Sequence, residues 1–126
     1  MPPTIDQVLE QARRRLVRVE PEQAAAEVAR GALLVDIRTP AQRADQGEIP
    51  SAIVIDRTVL EWRLDPTSPS RLDQAKDHHV RVIVVCAEGY SSSLAAASLQ
   101  DLGLINVTDV IGGFEAWKTA GLPVNT

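Results

Sequence analysis

The chain has 126 residues, 44% of them apolar and only 3% aromatic, with a net charge of −4. That length fits one domain with one aliphatic core, and the acidic balance excludes nucleic acid as a general partner. A single cysteine excludes an internal disulfide and a Cys-rich zinc site, and it fits a reducing compartment.

Ile5, Val8, Leu9, Ala12 and Leu16 follow helical spacing, with Thr4 as N-cap. This predicts an amphipathic covering helix over residues 1–18, ahead of a core over 19–124. The run Arg13-Arg14-Arg15 reads as a solvated face of that helix. The start of the chain lacks a signal peptide's apolar stretch, and no segment has the length of a membrane span, so a cytoplasmic location is expected. Val17-Arg18-Val19 reads as a short edge strand. Pro21 opens a second helix, Glu22 to Arg30, and Gly31 ends it. Leu33 to Arg38 is a strand, apolar and then abruptly charged. Thr39-Pro40 starts a short helix to Gln46, with Gly47 after it. Ala52 to Asp56 is a third strand, and Thr58 to Leu64 a short helix. Asp65 to Ser70 is a loop. Val80 to Cys86 is a strand, followed by the loop Ala87-Glu88-Gly89-Tyr90-Ser91 and a helix from Ser92 to Leu102. Val107 to Ile111 is the last strand. Gly112-Gly113 is a turn, and Phe114 to Ala120 the last helix.

Strands alternating with helices predict an α/β domain with a mostly parallel sheet and helices on both faces. Ligands in such folds bind beyond the carboxyl ends of the strands. Three strands end in reactive or charged groups there: Asp36 with Arg38, Asp56 with Arg57, and Cys86. Cys86 stands between a strand and a helix N-terminus, where loop amides and the helix dipole favour a thiolate. The competing reading is an inert thiol packed at a strand end. Trp62 is read at the mouth of the cleft and Trp117 in the core. His78-His79 have no second ligand cluster nearby in sequence, so no metal site is expected.

Four motifs in order resemble the single-domain rhodanese-like sulfurtransferase family. Leu34-Val35-Asp36-Ile37-Arg38-Thr39-Pro40 is similar to the family's first signature. Gly47-Glu48-Ile49-Pro50-Ser51-Ala52-Ile53 resembles its Gly-His-Ile-Pro-Gly-Ala-Ile element, with Glu48 in place of histidine and Ser51 in place of glycine. Cys86 to Ser91 aligns with the six-residue active-site loop. Gly112-Gly113, Trp117, Gly121, Leu122 and Pro123 match the C-terminal signature. The resemblance implies a rhodanese-like α/β fold and a sulfurtransferase needing no cofactor, and the excess of arginine over lysine, eleven to two, points to a bacterial source. Cys86 would be the catalytic residue, carrying sulfur as a persulfide. Ala87, Glu88, Gly89, Tyr90, Ser91 and Ser92 would form the anion-binding loop, with Asp36 and Arg38 organising the scaffold. The implied partners are a small sulfur donor and a thiol acceptor, a partner protein's cysteine included, with no membrane partner.

Many rhodaneses that use thiosulfate carry a basic residue at the loop's sixth position. Here that position is Ser91, and the loop's one charge is Glu88, so low thiosulfate activity is expected. Arg57 and Arg63 are read as cations that restore positive charge, or as surface ion-pair partners, with Glu61 an obvious one. Two rival functions remain. A cysteine phosphatase or arsenate reductase would need an arginine in the loop, and none lies between Cys86 and the end of its helix. A non-catalytic or redox-sensing interaction module of the same fold is the other.

Overall fold

A computed structural model describes all 126 residues. α1 (Ile5–Arg14) is closed at its start by a reciprocal cap, in which the Thr4 hydroxyl accepts from the Gln7 amide and the Gln7 side chain accepts from the Thr4 amide. α2 (Pro21–Ala29) begins with its proline in the first turn. β1 (Leu33–Asp36), α3 (Pro40–Gln46) and β2 (Ile53–Val54) follow. One 3₁₀ turn (Arg57–Val59) leads into α4 (Leu60–Leu64). Then come β3 (Val82–Val85), α5 (Ser91–Asp101), β4 (Val107–Asp109) and α6 (Gly113–Thr119).

The four strands form one parallel sheet in the order β2-β1-β3-β4. The fold is therefore α/β, as the alternating pattern predicts. The strands are shorter than the apolar runs that encode them. Asp56 leaves β2 to cap the 3₁₀ turn, accepting from the Thr58 amide at 2.9 Å. Val17 to Val19 is not a full strand: only Val19 makes a bridge, parallel, to Val110.

The alternation along each strand splits the core in two. Val35, Val82, Val84 and Val107 point to one face, packed with Leu16, Leu60, Leu64, Ala95, Ala96 and Leu99. Leu34, Ile83, Val85 and Val110 point to the other, packed with Ala24, Phe114 and Trp117. So α1, α4 and α5 cover one face, and α2 and α6 the other. α5 can lie close to β3 and β4 because its inward positions are Ser92, Ser93, Ala95 and Ala96, all small and buried.

The register places Asp36 beside Val85, one residue before Cys86. The carboxyl ends of β1 and β3 thus meet at one edge of the sheet. There Arg38 folds back on Asp36 with both fully enclosed, at 2.7 Å. Arg38 also donates to the Gly47 carbonyl at 2.9 Å, and its guanidinium lies 4.0 Å over the Phe114 ring. One side chain thereby ties β1, the end of α3 and α6 into one frame. Glu48 and Asn125 exchange backbone hydrogen bonds of 2.7 and 2.8 Å, which seals the tail onto that frame.

Candidate active site

Cys86 follows the last residue of β3 and is 5% exposed. Its chain turns at once, because Gly89 takes φ +85°, a left-handed conformation that glycine adopts without strain. The turn aims two amides at the sulfur: Gly89 N–H donates to Cys86 Sγ at 3.2 Å, and Ser92 N–H at 3.3 Å. Ser92 lies in the first turn of α5, so its amide has no helical acceptor and is free for the thiol.

Burial pushes the Cys86 thiol up, but hydrogen bonds from the Ser92 and Ser91 hydroxyls and the Ser92 and Gly89 amides hold it below the ordinary thiol range. The Ser92 hydroxyl has one proton, and Asp109 Oδ2 lies 2.7 Å from it. The two amides are therefore the fixed donors to the sulfur. The arrangement is a built thiolate site with no lysine or arginine on its loop.

The loop is held from behind by α6. Phe114 N–H donates to the Cys86 carbonyl at 2.8 Å, and Glu115 N–H to the Ala87 carbonyl at 3.1 Å. Gly112-Gly113 lets the two backbones touch. A Cβ on Gly113 would sit 2.5 Å from the Cys86 carbonyl oxygen and 2.6 Å from the Gly89 nitrogen.

It is held from the side by residues that the sequence reading did not select. Asp109, fully buried at the end of β4, accepts from Ser92 Oγ, Ser93 Oγ at 2.8 Å and Arg18 Nε at 2.8 Å. Arg18 also donates to the Gly89 carbonyl at 3.1 Å. Arg13, from α1, donates to the same carbonyl at 2.8 Å and to Ser93 Oγ at 3.2 Å. The run Arg13-Arg14-Arg15 is thus not one solvated face. Arg14 pairs with exposed Glu10 and Arg15 with Asp101, whereas Arg13 turns inward onto the loop.

The other residues singled out by sequence fall in three places. Glu88, Tyr90 and Ser91 are exposed on the outer rim of the loop, with Ala87 partly covered. Asp36 and Arg38 belong to the buried frame. Arg57 donates twice to Glu61, at 2.8 and 2.9 Å, and Arg63 donates to the Ser70 carbonyl at 2.7 Å. Burial of Glu61 is outweighed by bonds from Ser98 and Arg57, which keep it below the usual carboxylate range and so charged. Trp62 is exposed on α4, and Trp117 is buried and donates to the Pro123 carbonyl at 3.0 Å. A cleft of about 850 Å³ opens between α1 and the rim of the loop, lined in part by Ile5, Leu9, Arg13, Tyr90, Ser91 and Leu94. No helix is long and apolar enough to cross a membrane.

The family model of the rhodanese-like domain matches residues 20–120. The chain belongs to that family. It is 38% identical over 102 residues to the thiosulfate sulfurtransferase GlpE of Pseudomonas syringae, covering 81% of this chain and 87% of that one. It is 39% identical over 92 residues to a sulfurtransferase of Allochromatium vinosum, covering 73% of this chain and 77% of the relative. Among solved structures, a protein of unknown function from Rhodopseudomonas palustris, described as a possible tyrosine phosphatase, superposes with a TM-score of 0.85. That protein is 33% identical, with 99% of each chain covered. The rhodanese-like match begins after α1, so Arg13 and Arg18 lie outside it, while Cys86, Asp109 and Gly113 lie within it.

Proposed function

We propose that this protein is a rhodanese-type sulfurtransferase that carries sulfane sulfur on Cys86. The observation that supports this best is the thiol itself, faced by two backbone amide donors at the carboxyl edge of a parallel sheet and held below the ordinary thiol range. The Cys86 thiolate attacks the outer sulfur of a donor such as thiosulfate. A new S–S bond forms, the donor's S–S bond breaks, and sulfite leaves with the electron pair. The product is a Cys86 persulfide anion, which the same amide cradle stabilises. An external thiolate then attacks the terminal sulfur, leaves as a persulfide itself, and returns Cys86 as thiolate. The chain has no second cysteine, so the acceptor is another molecule: a small thiol or a partner protein's cysteine. Arg57 and Arg63 remain cations for an anionic donor. Each commits one guanidinium nitrogen to the local bonds described above.

Intact mass after incubation with thiosulfate, and separately with a low-molecular-weight persulfide, tests the proposal. Wild type should gain one sulfur atom and Cys86→Ser none. Equal gain by both would remove Cys86 as the carrier. No gain with any donor would favour the interaction or redox-sensing module. Phosphate-ester chemistry has less support. Residues Ala87 to Asp101 contain no arginine, and the two arginines that reach the loop are bonded to a carbonyl instead of being free to clamp an oxyanion.

A further inference from the structure

We propose that Arg13, on a helix outside the rhodanese-like match, is a positioning residue for the reactive loop: it fixes the Gly89 carbonyl so that the Gly89 and Ser92 amides stay aimed at Cys86 Sγ. The inference rests on Cys86 being the reactive group of the reading above.

Gly89 is the hinge of the loop. Its amide donates to the sulfur and its carbonyl faces the other way, into α1. A glycine at φ +85° has no side chain to hold it in place, and such a residue rotates more freely than any other. Gly112 and Gly113 pack behind it, and the side-chain donors that reach it all bond its carbonyl, where Ser93 Oγ also donates at 3.4 Å. Arg13 and Arg18 both donate there, with charge-assisted bonds of 2.8 and 3.1 Å. Arg18 divides its guanidinium between this carbonyl and Asp109, and Asp109 also organises Ser92 and Ser93. Arg13 makes no ion pair. Its partners are Gly89, Ser93 and the ring of Tyr90, which it overlies at 5.5 Å. All three belong to the loop and the first turn of α5. The cation is thus wholly committed to the segment that carries the two amides. The other charged or titratable side chains on and against the loop are Glu88 and Tyr90 on the loop, Asp6, Glu10 and Arg14 of α1 across the cleft from Tyr90, Arg18, Asp109 at the end of β4 and Glu115 at the start of α6. Of these, Arg18 alone also bonds the loop backbone through its side chain. Releasing Arg13 should let Gly89 rotate and weaken the amide cradle while the sheet and core remain as they are.

The test is the rate of Cys86 alkylation by iodoacetamide across pH, followed by intact mass, with thermal melting in parallel. It uses the full chain and needs no sulfur donor. Arg13→Met keeps the apolar stem, and Arg13→Gln keeps one amide donor. Arg13→Lys restores the charge, and Arg30→Ala, on the far side of the sheet from α1, controls for net charge. In Arg13→Met and Arg13→Gln, alkylation near neutral pH should slow by roughly three- to tenfold, and the midpoint of the profile should move to higher pH. Arg13→Lys should recover part of the loss, and Arg30→Ala should match wild type. An unchanged midpoint in a folded Arg13 variant overturns the proposal. So does failure of both variants to fold, which would make Arg13 a stability residue. Wild type that alkylates with a low midpoint but takes sulfur from no donor would sink the sulfurtransferase reading and leave this one standing.

Discussion

At the scale of single residues, the thiol sets the pH behaviour. Cys86 is held below the ordinary thiol range in the fold, chiefly by hydrogen bonds that overcome its burial. The folded state therefore prefers the thiolate more than the unfolded chain does. Below the folded pKa, Cys86 adds nothing to stability by this route. The contribution builds as pH rises from the folded value toward the unfolded one, about 8.5, is complete above it, and is lost again as pH falls. Urea midpoints of wild type and Cys86→Ala, taken at a series of pH values, should diverge in favour of wild type across that window. A gap that does not change with pH would mean an ordinary thiol. Glu88 is the second residue with a clear expectation. It is exposed on the rim of the loop and opposes an anionic donor. Glu88→Arg should raise kcat/KM for thiosulfate roughly two- to fivefold, the size of a solvent-screened charge effect. A decrease would show that charge on the rim does not govern donor binding.

At the scale of elements, the site is the place where β3, β4, α5 and α6 end or begin. The α6 start is the least forgiving junction, because backbone faces backbone at Gly113. Gly113→Ala must push the Cys86 carbonyl and the Gly89 amide apart. Sulfur loading should slow by roughly ten- to a hundredfold, as displacements of this size do to a catalytic geometry. Gly121 also has a positive φ, but nothing lies within 4 Å of its would-be Cβ. Gly121→Ala should load sulfur at the wild-type rate, and equal losses in both variants would mean that backbone strain, not the loop contact, is responsible. The Asp36–Arg38 clamp acts one layer deeper. Arg38→Ala would leave Asp36 charged, enclosed and without its partner, at a cost of roughly 3–5 kcal/mol. Chemical denaturation should show it directly. A loss under about 1 kcal/mol would mean that water or another cation reaches Asp36.

At the scale of the whole molecule, what the sequence makes legible is what lies close together in it. The apolar runs before Asp36 and Cys86 mark buried parallel strands, and the abrupt polarity after them marks the functional edge. Cys86, Gly89 and Ser92 can be read as one strand–loop–helix unit for the same reason. Strand lengths are less legible, since an apolar residue such as Ile55 packs in the core whether or not it pairs in the sheet. Arg13, Arg18 and Asp109 are not legible. Helical spacing shows which face of α1 is buried, but Arg13 lies beside that face, and only the packing of α1 on α5 turns it toward residue 89. Asp109 looks like a polar end to a strand until three donors are seen around it. The long reach of these contacts bears on the order in which the site folds. The loop around Cys86 is bonded by amides from residues 114 and 115 and by a guanidinium from residue 13, so its contacts come from segments far apart in the sequence. Contacts so far apart in sequence form late, after the loops between them have closed. A segment cut off before β4 therefore holds the strand, loop and helix that carry Cys86, but none of the partners at residues 109, 114 and 115 that fix them.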